Sequence, residues 1–457
     1  MTDAIDERTT ASLFKAYDVR GIAPEELSPE LAYRVGRALV AEFKVDSIAV
    51  GRDMRTTGQL LSASLIDGIR DQGADATDIG LVSTDALYFA VGKFGFPAGV
   101  MITASHNPPA YNGFKICREG ARAVSFEGGI KQIRDRAIAN DFPAMPDRRG
   151  DLMEKDVLES YAEHVLSLID ISKLKPLKIA IDAGNGMAGK TVPVVFDKLP
   201  VEVISLYFEL DGTFPNHLAN PLEPENVRDL QQAVIDNGAD FGLAFDGDAD
   251  RVFLIDEQGR AVGGDMVTAM VAIALLAQHP GSAICYNLIC SRSVPETIQA
   301  HGGRPVRTPV GHSLIKEIMR SEDAIFGGEH SGHFYFRDNW YADSGLIAAL
   351  TVMQLVSEQG KAVSEVLAPL DTRFRSGELN HRVADARAVM TAIETHYIAN
   401  GGVIGHQDGI LVEFPDWWFS LRASNTEPLL RLNVEADTEE LLAKKTAEVR
   451  RMIPVAS

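Results

Sequence analysis

The chain has very little cysteine. Three residues in 457, Cys117, Cys285 and Cys290, follow no pairing or C-x-x-C pattern, which argues against a disulfide framework and a zinc site and is what a reducing cytoplasm leads one to expect. Long apolar runs are also missing. The two longest, residues 266–277 and 346–356, fall short of the roughly 20 residues that span a bilayer. With Asp265 and Ser344 at the expected N-cap positions, both read as buried helices. The first eight residues are acidic and lack an apolar core, unlike a secretory leader. Positive charge is scarce: 44 Lys and Arg face 64 Asp and Glu, a formal net charge of −20. That excludes sequence-independent binding to nucleic acid, which needs clustered cations. It also requires any anionic ligand to be met by the few basic residues gathered locally.

What is present is ordinary for a water-exposed globular protein, 46% hydrophobic and 24% charged. The length predicts three or four domains. A short apolar strand followed by a polar turn and helical periodicity recurs three times, with strands expected at 47–50, 177–181 and 282–286. A second strand in each unit ends in an unusual loop, at 100–105, 241–246 and 324–329. Alternating strands and helices predict α/β units with mixed or parallel sheets, whose ligands sit at strand ends. From about residue 370 the pattern changes. Strands are expected at 403–404, 410–414, 417–421 and 429–434, and a helix at 438–452, as an antiparallel sheet with helices on one side.

Four loops carry chemistry. In Thr103-Ala104-Ser105-His106-Asn107-Pro108-Pro109, two prolines stiffen a turn that presents a hydroxyl. It reads as a nucleophile or phosphate carrier, or as a surface Ser-Asn turn. Phe245-Asp246-Gly247-Asp248-Ala249-Asp250-Arg251 places three carboxylates at alternate positions, as a hard divalent cation wants. A solvated acidic turn is the plainer alternative. An EF-hand is excluded because Arg251 stands where that loop demands glycine. Mg2+ is expected over Ca2+. Gly327-Gly328-Glu329-His330-Ser331-Gly332-His333 suits paired sugar hydroxyls, or is a glycine turn with a chance pair of imidazoles. Arg422-Ala423-Ser424-Asn425-Thr426-Glu427-Pro428 can cradle an anion, or is a capped turn. Near the start, Tyr17 and Arg20 could reach a phosphate or form a basic surface turn. His312 follows Thr308-Pro309-Val310 and is either structural or catalytic. Gly184-Asn185-Gly186-Met187-Ala188-Gly189 matches G-x-G-x-x-G, with Glu202 at a suitable distance. That acid opens its strand, however, where the ribose contact should close one. The glycines are expected to serve a tight strand-to-helix turn.

Together these loops resemble the α-D-phosphohexomutase family, most closely its phosphomannomutase/phosphoglucomutase type, over essentially the whole chain. The resemblance implies three similar α/β domains with mixed sheets plus a C-terminal α+β domain, around a central active-site cleft. The expected bounds are 1–155 (serine loop), 156–257 (metal loop), 258–369 (sugar loop) and 370–457 (phosphate loop). By that likeness Ser105 carries a phosphoryl group and joins Asp246, Asp248 and Asp250 around one Mg2+. Lys115 and His312 are the acid and base, and Arg20 neutralises charge. Tyr17, Arg251, Glu329, Ser331, His333, Arg422, Ser424, Asn425 and Thr426 contact the hexose phosphate, and a hexose 1,6-bisphosphate is the activator. The implied reaction interconverts hexose 1- and 6-phosphates, with glucosamine phosphate or an Asp246-dependent phosphohydrolase as alternatives. One departure is visible: Ile289, beside Cys290, stands where many members carry Lys. His333 or Arg292 are the candidate replacements.

Overall fold

The structure, a computed structural model, describes residues 7–423 and 429–454, apart from the side chains of Glu7 and His312. It divides into two units. One runs to Gly264 and adds Ser331–Ser364. The other joins Asp265–His330 to the chain from Glu365 onward.

The first unit holds two mixed sheets. In the first, the strands run Val19–Ile22, Tyr111–Arg118, Ala98–Ile102, Ser47–Arg52, Asp75–Leu81 and Leu152–Glu154 in spatial order. Ser47–Arg52 is parallel to both neighbours, whereas Tyr111–Arg118 lies antiparallel to Ala98–Ile102 and Val19–Ile22. Alternation along the strands puts Ile48, Val50, Val100, Ile102, Phe114 and Ile116 into one core with Val35, Leu39, Leu65 and Ile69 of two helices. The opposite face packs on the helix Thr84–Phe94, so closely that a Cβ on Gly99 would lie 2.5 Å from Val91. Because Ser47–Arg52 and Ala98–Ile102 run parallel, the loops that follow them emerge side by side. The second of these carries Ser105.

The second sheet orders Ala261–Val262, Val252–Asp256, Phe241–Phe245, Leu177–Asp182 and Val201–Leu206. Phe245 pairs with Val252 across an antiparallel ladder, so residues 246–251 form a hairpin loop between strands. The G-x-G-x-x-G segment is the turn into the helix Ala188–Phe196. A Cβ on Gly186 would meet Gly247 O at 2.7 Å, and one on Gly189 would meet Phe208 O at 2.1 Å. These glycines allow close backbone packing. Glu202 is exposed and faces Lys178 at 3.4 Å. The hairpin Phe334–Phe336 and Ala342–Asp343 precedes the helix Gly345–Gln359, where Ser344 is the expected N-cap and accepts from Ile347 N.

In the other unit, Ala283–Asn287 lies parallel between Arg304–Thr308 and Phe326–Gly328. Asp265 corrects an expectation: the helix already begins at Gly264, so this residue lies inside its first turn rather than capping it. Its carboxylate instead accepts from Met266 N, Ser291 N and Arg375 Nη1 at 2.9–3.2 Å. The C-terminal region is a five-stranded antiparallel sheet, ordered Phe374–Arg382, Leu429–Ala436, Trp417–Ala423, Ile410–Glu413 and Val403–Gly405. Its core includes Ile393, Tyr397 and Val449 from two helices. The strand Phe374–Arg382 and the helix Ala386–Ala399 were not foreseen. The strand is polar and half-exposed throughout, and so lacks the apolar alternation that marks the others.

One polar node sits in the interior of the first unit. Asp85 is 1% exposed and accepts from Ser83, from Tyr161 Oη at 2.5 Å and from Ser344 Oγ at 2.6 Å. Burial pushes its pKa to about 6, although the three hydroxyls favour the ionised form. Removing one donor leaves a buried carboxylate under-solvated, at about 1–3 kcal/mol. Tyr161→Phe is therefore expected to lower the melting temperature at pH 8. The drop should shrink toward pH 5, where the carboxyl is protonated and needs fewer donors. A calorimetric melting series over that range checks both points.

Candidate active site

The serine loop and the aspartate hairpin meet within the first unit. Ser105 is 4% exposed and has φ +48°, a left-handed conformation that is costly for a residue with a Cβ. Contacts of its N–H, carbonyl and hydroxyl hold it there. Its N–H donates to Thr103 Oγ1 at 2.9 Å, and its carbonyl packs so tightly on Gly247 that a Cβ there would lie 2.4 Å away. Its hydroxyl donates to Asp246 Oδ2 at 2.6 Å. Arg251 closes the arrangement: Nε donates to the same carboxylate oxygen at 2.8 Å, the backbone N–H to Oδ1 at 3.2 Å, and Nη2 to His106 Nδ1 at 2.6 Å. Burial, with Arg251 and Arg20 nearby, drives the His106 pKa down to about 2. The imidazole is thus a neutral acceptor for Arg251.

Asp246, Asp248 and Asp250 are each at most 1% exposed, and one oxygen from each lies within 4.8 Å of the others. Lys115, one of the candidate acid–base residues, donates to Asp248 Oδ2 at 2.7 Å and also to Asp250. Burial opposes its charge, but the two carboxylates outweigh burial and raise its pKa. A general base needs the reverse shift. Asp248 is held well below the usual carboxylate range: burial is overcome by Lys115 and by Thr84, whose Oγ1 donates at 2.5 Å. Asp248 Oδ1 and Asp250 Oδ1 are buried with no hydrogen-bond partner among the described residues. Two orphaned carboxylate oxygens beside a third carboxylate fit an oxygen-ligated cation, so this trio could hold a metal ion.

Of the other expected residues in this unit, Arg20 donates to Asp18 Oδ2 and to Asn107 Oδ1, both at 2.9 Å, which ties it to the serine loop. Tyr17 is half-buried three residues before it. Ser331 Oγ lies 3.0 Å from His333 Nδ1. His333 forms a bridge with Arg251 and gathers with Asp250 and Asp343.

In the second unit Glu329 is 3% exposed and accepts from Asn287 Nδ2 at 3.2 Å. Arg422, 7% exposed, lies 3.2 Å from Glu378 and 3.4 Å from Asp408. Arg292 donates from Nη1 to Pro415 O and from its N–H to Glu435 Oε1. Ser424, Asn425 and Thr426 lie outside the described residues, as does the side chain of His312, the first residue of its helix.

Sequence reasoning missed Asp53, Arg55, Thr84 and Asp343. Thr84 and Asp343 sit at the start of a helix and the end of a two-residue strand, with nothing local to single them out. Asp53 closes the Gly51-Arg52-Asp53 turn, and its position at a parallel strand's carboxyl end was the available signal.

The fold and this cluster define a phosphoryl-handling α/β enzyme. Models of the phosphoglucomutase/phosphomannomutase family match the chain in four consecutive pieces: α/β/α domain I at residues 11–143, domain II at 159–259, domain III at 263–373, and the C-terminal domain at 377–452. The chain belongs to this family and is a mutase. It is 41% identical over 448 residues to a phosphomannomutase of Salmonella montevideo, covering 96% of this chain and 98% of that one. Identity is 42% to a protein of Xanthomonas campestris described as phosphohexose mutases, over 97% of this chain and 99% of that one. A crystal structure of a phosphoglucomutase/phosphomannomutase family protein from Burkholderia thailandensis superposes with a TM-score of 0.88 at 32% identity, covering 96% of each chain. No helix among the described residues is long and apolar enough to cross a membrane.

The metal expectation has a pH signature. Burial raises the Asp246 pKa to about 7; Arg251 opposes this, while Asp248 and Asp250 add to it. A cation must displace that proton. If the trio holds a divalent cation, its affinity, probed with Mg2+, is expected to be full above pH 8 and to fall by up to about tenfold per unit below 7. Calorimetric Mg2+ titrations at pH 6 and 8 measure it. Equal affinities would show either that Arg251 already holds Asp246 ionised at pH 6 or that Asp246 does not ligate the cation.

Proposed function

We propose that this protein is a cytoplasmic phosphomannomutase, with phosphoglucomutase activity as well, that interconverts hexose 1- and 6-phosphates through a phosphoserine at Ser105. The observation that carries the reading is the 2.6 Å contact between the Ser105 hydroxyl and Asp246, in a cluster of three buried carboxylates and two cations. Relatives more than 40% identical over nearly the whole chain bear the phosphomannomutase name, which supports the same reading.

In the proposed reaction the bond from phosphorus to Ser105 Oγ breaks as one forms to the free hydroxyl of the hexose monophosphate. That hydroxyl's proton passes to the base, His312, and Ser105 Oγ takes one from the acid, Lys115, which leaves a serine hydroxyl ready to be rephosphorylated. The bisphosphorylated sugar turns around and returns its other phosphoryl group to Ser105, and a hexose 1,6-bisphosphate primes the enzyme. Phosphoryl transfer is chiefly positioning and charge neutralisation. Arg20 and Arg251 supply fixed positive charge beside the serine loop. Lys115, kept protonated by Asp248 and Asp250, is suited to giving a proton, with His312 as its counterpart. Asp246, Asp248 and Asp250, with an oxygen on Ser105, would hold Mg2+, which when bound adds positive charge where the transferring group becomes more negative. Glu329 and Ser331 read the 3- and 4-hydroxyls, His333 assists, and Tyr17, Arg422, Ser424, Asn425 and Thr426 grip the phosphate that is not reacting. Mannose and glucose differ at C2 alone, so a pair that reads C3 and C4 accepts both. An Asp246 nucleophile is disfavoured because both its oxygens already accept hydrogen bonds.

Ser105→Ala is expected to abolish mutase turnover and the serine-bound phosphate seen by intact-mass measurement. A purified variant with full activity would remove the carrier role. Arg422→Ala is expected to raise KM by about 10- to 100-fold, the loss of a charge-assisted contact, while Ser105 still accepts phosphate from the bisphosphate. An unchanged KM would count against the phosphate grip.

A further inference from the structure

The serine loop has an unusual backbone requirement. Pro108 and Pro109 bring no N–H groups, and backbone donors reach only some of the turn's carbonyl oxygens, Asn107 N donating to Ala104 O at 2.9 Å and Tyr111 N to Pro108 O at 3.0 Å. One side chain gathers four of these carbonyls. Arg55, in the loop after the strand Ser47–Arg52, donates from Nη1 to Pro108 O at 2.8 Å and Tyr111 O at 2.9 Å. From Nη2 it donates to Ser105 O at 2.9 Å and Asn107 O at 2.6 Å. Its side chain has no exposed surface.

Arg55 is in turn held from behind. Asp53 Oδ1 accepts from the Arg55 N–H at 3.0 Å, and Asp53 Oδ2 lies 3.4 Å from Nε as an ion pair. The Phe214 ring covers the guanidinium with its centroid 5.1 Å from Cζ. The backbone fits closely against Gly212, where a Cβ would come within 2.6 Å of Arg55 Cα.

We infer that Arg55 is the positioning residue for the phosphoryl carrier: its fork fixes the carbonyl of Ser105, and with it the left-handed backbone that aims the hydroxyl at Asp246. The inference rests on the phosphoserine reading above. The geometry demands arginine. A planar guanidinium with two terminal nitrogens can serve two pairs of carbonyls at once, whereas the lysine ammonium is a single point on a flexible stem. Ser105 is clamped on its carbonyl side by Arg55 and Gly247, which holds the hydroxyl toward Asp246 and Arg251. Arg55 touches neither the hydroxyl nor any reacting atom, so its effect falls on the reaction step rather than on substrate affinity.

The test compares wild type, Arg55→Lys, Asp53→Asn and Ser105→Ala as full chains. It measures melting temperature, KM and kcat for mannose 1-phosphate, and the single-turnover rate of labelling from radioactive glucose 1,6-bisphosphate. In Arg55→Lys, kcat and the labelling rate are expected to fall together by about 100-fold, as loss of near-attack geometry does, with KM within threefold of wild type. In Asp53→Asn, which keeps the fork but loosens it, both rates should fall about tenfold. A folded Arg55→Lys that labels at the wild-type rate, or whose loss lies entirely in KM, overturns the inference. If Arg55→Lys does not fold, Asp53→Asn decides by the same measure, a wild-type labelling rate overturning it. Wild type that takes no label on Ser105, or Ser105→Ala that turns over normally, fails the carrier reading itself. Label on wild type with equal label on the variants fails the positioning role alone.

Discussion

Three carboxylates and two cations share a space that water barely reaches, and the rest of the first unit is arranged around keeping that tolerable. A buried carboxylate without partners is expensive, and three together repel. Asp246 is met by Arg251 and by the Ser105 hydroxyl, Asp248 by Lys115 and Thr84, and Asp250 by Lys115. The match is incomplete, since one oxygen each on Asp248 and Asp250 has no hydrogen-bond partner among the described residues. Surfaces designed only for stability seldom leave such atoms; sites that handle ions do. The shortfall, joined to the convergence of three carboxylates on one point, is what fits this cluster to an oxygen-ligated ion.

The fold delivers these groups from distant parts of the chain. Ser105 and Asp246 are 141 residues apart, yet each follows directly from the carboxyl end of a strand with a parallel neighbour, Ala98–Ile102 in one sheet and Phe241–Phe245 in the other. Their two backbones touch because residue 247 is glycine: the Ser105 carbonyl occupies space that any side chain would fill. The next layer is packing between the two sheets' loops. Gly186 lets the turn after Leu177–Asp182 close on Gly247 O, and Met187 N donates to that same oxygen at 2.9 Å. Glycines that resemble a nucleotide signature in one dimension are, in three, the clearance that brings the serine loop and the aspartate hairpin together.

This history explains what could be read from the sequence. The strands leading into Ser105 and Asp246 were legible because they are short, apolar and punctuated by turns. The convergence of serine loop and aspartate loop was legible because a stiffened hydroxyl turn and a carboxylate trio each follow such a strand, and the structure brings those two together. Arg55 and Thr84 were not, because their importance is created by partners 50 to 164 residues away; no local pattern distinguishes an arginine that binds four carbonyls from one that faces solvent. Asp265 misled for a similar reason. Its neighbours look like a helix start, but tertiary contacts with Ser291 and Arg375 claim the carboxylate that capping would have used.

Lys115 shows why charge has to be counted before a catalytic role is given. Its strand position opposite Met101 places its ammonium among Asp248 and Asp250, and their field more than compensates for burial. An amine so placed keeps its proton through the physiological range. It therefore acts first as a counterion, and its contacts with the two aspartates offset the cost of burying them. A phosphorylated serine 105 side chain, carrying close to two negative charges near neutral pH, would strengthen that hold on the proton. In the proposed reaction the lysine can therefore give its proton only to a stronger base, the serine oxygen left as the phosphoryl group departs, which would couple the protonation of this site to the unloading of its serine.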